Sequence, residues 1–303
     1  MVAKGAEMII VGADGSRVAF EAVGWAAREA ALREEPLKVV HALPEWIFKG
    51  GARGSCAQVA EWMRAGGAEV LAGAIERVRK EAPEIEVESA LLAGDPRAAL
   101  IKAAEAEADL IVLGNHGIGG FRGLLLGSVA HGVAGHAHCA VVVVREVPSP
   151  PRGEVVAGVD GSPAGAAALE FAFTEAALRG ARLRAVHAWP LWLWSEGGAF
   201  VPVRDAEEDE EDERRLLAEA LAGMRERHPD VELSEEVVQG HPADVLRRAS
   251  DGADLLVVGS RGNGEFARLI LGSVSQAMLH HARCPLAVVR APEHGSEPAG
   301  GTP

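Results

Sequence analysis

Short, wholly apolar runs alternate along this chain with longer stretches in which apolar residues recur at helical spacing. In the first half the runs fall near 7–12, 37–43, 85–92, 109–113 and 140–145, and they are rich in β-branched residues. The Ala/Glu/Arg-rich stretches between them predict helices near 17–34, 58–81, 97–107 and 128–137. The runs do not alternate apolar with polar. Continuous apolarity is what a parallel strand needs when helices cover both faces of its sheet. Five strands joined by four crossover helices predict a doubly wound α/β unit.

The pattern is written twice. "IIVGADGS" (9–16) returns as "VVAGVDGS" (155–162), and "VVHALP" (39–44) as "AVHAWP" (185–190), both offset by 146 residues. "GDP" (94–96) matches "GHP" (240–242), and "ADLIVLGNHG" (108–117) matches "ADLLVVGSRG" (253–262) at an offset of 145, so one deletion separates the copies. This is duplication of a whole domain rather than a solenoid of short repeats. It predicts one domain over 1–147, a second over 153–291, and an extended linker at the prolines of "PSPPRG" (148–153). The terminal "APEHGSEPAGGTP" (291–303) is poor in apolar residues, and residues 292–303 are expected to be disordered.

Composition narrows the function classes. The 303 residues are 48% hydrophobic and carry a net charge of −14. Such an acidic chain is not expected to bind nucleic acid, which requires a basic face. No apolar run approaches the roughly 20 residues of a membrane span, and the N-terminus lacks a signal-peptide pattern. Three cysteines, Cys56, Cys139 and Cys284, suit reducing cytosol better than a disulfide framework. A cytoplasmic protein is the expectation. The acidic run "DAEEDEEDE" (205–213) reads as a solvated loop and first helical turn, with a docking site for a basic partner as the alternative.

Two glycine-rich stretches hold the candidate chemistry: "GNHGIGGFRGLLLGS" (114–128) and "GSRGNGEFARLILGS" (259–273). Each reads G-x-x-G, nine residues, then G-S, and each leaves the carboxyl end of a predicted strand and opens a helix. In open α/β sheets ligands settle at such ends, where the strand order reverses. Gly117 and Gly262 lack a side chain where backbone N–H groups could approach an anion. Ser128 and Ser273 could cap the helix whose N-terminus faces that anion. Asp14 and Asp160, at the end of each first strand, would supply a carboxylate to ribose hydroxyls. A phosphate grip opposite a carboxylate points to a nucleotide. No GxxxxGK[ST] loop occurs, no GxGxxG follows a first strand, and no SGGxDS loop is present, which argues against P-loop, dinucleotide and adenylating folds.

These motifs, following the V-x-x-D-G-S-like turns, resemble the universal stress protein family over residues 5–146 and 152–291. The resemblance implies a tandem member with strand order 3-2-1-4-5 in each half and ATP binding, with Mg²⁺ expected alongside. It places a first site at Asp14, the backbone of Ala42, Gly114, His116, Gly117, Gly127, Ser128 and Val129. The second site becomes Asp160, Ala188, Gly259, Arg261, Gly262, Gly272, Ser273, Val274 and Ser275. Ser275 keeps a hydroxyl that the family often offers to phosphates, and Ala130 loses it. Glu265 stands near the second loop where the first half has Gly120, so unequal affinities are expected. The family's dimerising last strand is represented by "AVVVVR" (140–145) and "PLAVVR" (285–290). Left unpaired these would be adhesive edges, so their pairing within one chain as a pseudo-dimer is expected, and a further homodimer of whole chains is possible.

Other residues carry blander readings. His41 and His187 suggest structural roles at the second-strand ends. The histidines at 131, 136, 138, 280 and 281 suit helix C-termini better than a metal. "WPLWLW" (189–194) could lid a pocket or cover apolar surface between the domains. No nucleophile or water-positioning base is evident. The reading is therefore a nucleotide-binding stress-response regulator with an unidentified protein partner. A slow ATPase or nucleotidyl-transfer enzyme, and a nucleotide-free scaffold, are the alternatives.

Overall fold

The computed structural model describes residues 8–49, 55–118, 126–145, 147–189, 192–194, 200–202, 206–262 and 270–291. The first half runs β1 (Ile9–Gly12), α1 (Arg17–Arg33), β2 (Leu37–Leu43), α2 (Ser55–Glu81), β3 (Val87–Ala93), α3 (Pro96–Glu107), β4 (Leu110–Gly114), α4 (Ser128–His136) and β5 (Ala140–Val144). The second runs β6 (Glu154–Val159), α5 (Pro163–Arg179), β7 (Arg182–Trp189), β8 (Trp192–Trp194), β9 (Phe200–Pro202), α6 (Ala206–Arg227), β10 (Leu233–Gln239), α7 (Pro242–Ala249), β11 (Leu255–Gly259), α8 (Ser273–His281) and β12 (Leu286–Val289).

One ten-stranded sheet carries both halves, in the order β10-β7-β6-β11-β12-β5-β4-β1-β2-β3. Each half has the expected order 3-2-1-4-5 with parallel pairing. The halves meet at β5 and β12, which pair antiparallel with Leu286 opposite Val143 and Val288 opposite Val141. The strands that would be edges of separate domains thus become the buried centre of one sheet, with Val141–Val144 and Leu286–Val289 all buried. The true edges, β3 and β10, carry Glu88, Glu235 and Glu236, which discourage further strand addition.

Successive strand residues feed opposite faces, which is why the runs are apolar throughout. Ile9 and Val11 join a core with α1, α2, α5 and α6, whereas Ile10 faces α3, α4, α7 and α8. Both cores cross the junction between halves. The linker is not a loose spacer: the backbone N–H groups of Arg152, Gly153 and Glu154 all donate to the Asp254 carboxylate at 2.7–3.1 Å. Gly153 has a φ of +69°, which favours glycine there.

Two features depart from the sequence reading. The second half carries an extra two-stranded antiparallel ribbon, β8 with β9, formed by part of the tryptophan-rich stretch. Trp189 itself ends β7 and is buried; a lid or cover role for the rest falls on side chains outside those described. The acidic run, read as a loop and first helical turn, is helical from residue 206 onward. Glu210 pairs with Arg214, and Asp212 with Arg215 at 3.1 Å.

Candidate functional site

A cavity opens in each half where the strand order reverses, between the ends of β1 and β4 and between those of β6 and β11. The first, of about 360 Å³, is lined by Asp14, Ala42, Gly114, His116, Gly117, Gly127, Ser128 and Val129. The second, of about 590 Å³, is lined by Asp160, Ala188, Gly259, Arg261, Gly262, Gly272, Ser273, Val274 and Ser275. Four separate chain segments therefore converge in each half. Val40, Leu92 and Leu113 add apolar wall to the first cavity, and Val186, Leu246 and Val258 to the second.

Each glycine has its own steric reason. A Cβ on Gly114 would stand 3.2 Å from the Val18 carbonyl carbon, and one on Gly259 would stand 2.8 Å from that of Ala164. The first turn of α1 or α5 leaves no room there. A Cβ on Gly117 would lie 2.1 Å from Asp14 Oδ2, and one on Gly262 would lie 2.4 Å from Asp160 Oδ2. The anion beside this glycine is thus the protein's own aspartate. The Ile118 N–H donates to Asp14 Oδ2 (2.8 Å) and the Ser16 N–H to Oδ1 (3.0 Å), so Asp14 ties the glycine loop to the β1 turn. Asp160 Oδ1 accepts from the Ser162 N–H (3.0 Å) and hydroxyl (2.6 Å). Each carboxylate oxygen has a second lone pair, so these bonds leave Asp14 capacity to accept more.

The helix starts correct one expectation. Ser128 and Ser273 do not cap α4 and α8; they are the first helical residues, and the cap positions are Gly127 and Gly272, with no side-chain hydrogen bond at either. The returning chain is fastened one residue earlier than expected, by Gly127 N–H to the Asn115 carbonyl (2.7 Å) and Gly272 N–H to that of Ser260 (2.8 Å). The contrast with the other described caps is informative. Ser16 caps α1, Asp95 caps α3, Ser162 caps α5 and His241 caps α7, each accepting a backbone N–H. Among the described N-caps of the α-helices, those of α4 and α8 are the two without a side-chain hydrogen bond; both line a cavity, which they share with the capped starts of α3 and α1 in the first half and of α5 and α7 in the second. The first N–H groups of α4 and α8 keep their hydrogen-bonding capacity and the positive end of the helix dipole.

Other candidates occupy structural positions. The Ser275 hydroxyl is buried and donates to the Ser260 and Gly272 carbonyls (2.9 and 3.0 Å), which staples the start of α8 to the end of β11. Ala130 cannot do this in α4. His41 Nδ1 lies 2.7 Å from the Ala13 carbonyl, just after β1, and His187 Nδ1 lies 2.7 Å from that of Val159, the last residue of β6, so each ties a second strand to the end of the first. His187 Nε2 also meets Glu213 Oε2 at 2.6 Å, a use of the acidic run that its composition does not reveal. Glu265 and Gly120 lie outside the described residues. Among the described residues no group of three His, Cys, Asp or Glu side chains is placed to hold a metal, and no helix is long and apolar enough to cross a membrane.

The sequence profile of the universal stress protein family matches residues 6–145 and 152–290. Universal stress protein Rv2005c of Mycobacterium tuberculosis is 37% identical over 290 residues, covering 93% of this chain and 96% of the relative. Universal stress protein Rv2623 of the same organism is 38% identical over 295 residues, with the same coverage. The crystal structure of a universal stress protein from Archaeoglobus fulgidus superposes with a TM-score of 0.69 at 21% identity, covering 94% of this chain and 99% of that one. That structure bears on the fold alone.

Proposed function

The chain belongs to the universal stress protein family, and on that premise we propose that each half binds ATP in its crevice and that the protein acts as a nucleotide-dependent regulator of the stress response. The observation that carries this reading is the pair of glycine-capped helix starts, α4 and α8, at crevices walled by glycine backbone. An anion there would receive the N–H groups of the first turn and the dipole without displacing any side-chain cap. His116 in the first crevice and Arg261 in the second would add a donor beside the phosphates. The apolar walls would take the base. Asp14 and Asp160 would turn their remaining lone pairs to the ribose. Mg²⁺ would ride on the phosphates and water, as that ion commonly does. The two crevices differ at Ser275 against Ala130 and at Arg261 against His116, so unequal affinities are part of the proposal.

The test is to denature the purified protein and chromatograph what it releases, per chain. Two equivalents of ATP are expected, one per crevice. Nothing released, together with no binding of ATP and Mg²⁺ up to millimolar concentration, would make the glycine loops purely structural. The same preparation measures turnover: hydrolysis well above that of a D14A/D160A variant would favour a slow ATPase over a regulator.

A further inference from the structure

Where the halves meet lies a third cavity, of about 820 Å³, which the duplicated nucleotide motif does not account for. Six arginines line it: Arg17 and Arg28 on α1, Arg77 on α2, Arg145 after β5, Arg247 on α7 and Arg283 after α8. His280, His281 and His116 also line it, and His116 is shared with the first crevice. The one carboxylate in the lining is Glu21, which pairs with Arg17 at 2.6 Å. Glu81 reaches Arg28 (2.8 Å) and Arg77 (3.0 Å), and Asp251 reaches Arg283 (2.7 Å), without lining the cavity themselves. A chain with a net charge of −14 thus gathers arginines from both halves around one groove.

The internal repeat supplies a control. The related positions on the other side of the pseudo-two-fold axis are Pro163, Thr174 and Gly223 for Arg17, Arg28 and Arg77, and Ile101 and His138 for Arg247 and Arg283. Arg290 alone repeats an arginine, that at 145. A need of the fold, such as holding the halves together, would act on both sides alike. Arg261, the repeat partner of His116, adds a second arginine on the far side, so six arginines on one side face two on the other.

We propose that this groove is a binding site for a small anion bearing several phosphate groups, distinct from the two nucleotide crevices. Guanidinium forks match phosphate oxygens bidentately. Their spread over three helices, two element ends and both halves suits several linked phosphates rather than one ion. The groove is also electrostatically poised for an anion. Burial, and then the charges of His281, Arg145 and His131, hold His280 below the usual imidazole range. The Arg145 guanidinium donates to the Leu279 carbonyl at 2.6 Å, so this carbonyl near the end of α8 is covered.

Isothermal titration of inorganic tripolyphosphate into the full-length chain at low salt tests the proposal. The R28Q/R247Q variant is expected to weaken binding about tenfold or more, with ATP binding at the wild-type level. Its fold is expected to survive, because Arg77 still serves Glu81. R248Q removes the neighbouring charge, which does not line the groove, and is expected to change affinity less than about twofold. Equal affinity of R28Q/R247Q and wild type overturns the proposal. So does loss of tripolyphosphate binding in the crevice variant G117A/G262A, or the absence of binding by wild type up to millimolar concentration. Because tripolyphosphate and ATP are read separately, failure of the crevice reading leaves this test intact.

Discussion

Arg33 of the first half and Glu175 of the second, 142 residues apart in the chain, are hydrogen-bonded across the pseudo-two-fold axis. Their repeat partners complete a ring: Arg179 bonds Glu29, Arg33 Nε donates to Glu29 Oε1 at 2.6 Å, and Arg179 bonds Glu175. Both carboxylates are buried between α1 and α5. The guanidinium groups lie over aromatic rings that are themselves repeat partners, Arg179 over Trp25 (5.7 Å) and Arg33 over Phe171 (5.4 Å). The duplication has thus produced a buried quartet, with Glu35 3.9 Å from Arg33 at its margin, that exists only when the two halves pack.

Breaking one member of that ring is expected to cost more than removing all four. R179M leaves two buried carboxylates with one guanidinium, a loss of about 3–5 kcal/mol. The quadruple variant E29L/R33M/E175L/R179M leaves no charge at the four ring positions, taking from Glu35 only its 3.9 Å contact with Arg33, and is expected to be the more stable of the two. Urea unfolding of both, monitored by circular dichroism, decides the order; a quadruple variant less stable than R179M would refute it.

The quartet also predicts a pH dependence. Burial raises Glu29, but Arg179 and Arg33 outweigh it and hold that carboxyl low. Burial and the neighbouring Glu29 charge push Glu175 up to about 7. A carboxyl raised above its unfolded value holds its proton in the fold when the unfolded chain has released it. Its contribution to stability is therefore complete in acid and is lost as pH rises towards 7. E175Q, which stays neutral, should match wild type near pH 5 and gain relative stability by about pH 8. Thermal unfolding midpoints across that range test the sign, and a constant difference would contradict it.

Because a Cβ at position 117 would stand 2.1 Å from Asp14 Oδ2, and one at 262 would stand 2.4 Å from Asp160 Oδ2, alanine there must displace the aspartate from the loop. G117A is expected to empty the first crevice and G262A the second, each halving the ATP recovered per chain while the far-ultraviolet spectrum is unchanged. Full nucleotide content in both variants would separate the Asp–Gly contact from binding.

The cysteines should react in order of exposure. Cys56 is exposed. Burial raises the Cys139 thiol to about 11 and the buried Cys284 thiol to about 12, which suppresses the reactive thiolate. Labelling of the native protein with an aromatic disulfide reagent is expected to modify one thiol quickly, and denaturation to release the other two. Rapid native labelling of Cys284 would show that the β11–α8 layer opens.

The sequence by itself determined what is local or repeated. Continuous β-branched runs such as "AVVVV" specify strands buried on both faces, so the boundaries Leu37–Leu43 and Ala140–Val144 were legible within a residue or so. The 146-residue offset exposed the duplication, and the repeated spacing of Gly114, Gly117, Gly127 and Ser128 singled out residues that line one crevice. Tertiary structure decided what depends on contacts between distant segments. Ser128 looks like a cap in sequence, yet the hydrogen bond from Gly127 to Asn115 starts the helix one residue earlier and leaves its N-terminus without a side-chain cap. Gly117 looks like a place for a ligand's phosphate, yet Asp14 fills the space. Glu29 and Arg33 stand at i,i+4 spacing on α1, and only α5 buries them against Glu175 and Arg179. The six groove arginines are scattered over more than 260 residues and give no local signal. Periodicity and spacing report a residue's own element, whereas burial and charge clustering arise only when the antiparallel union of β5 and β12 brings the halves together.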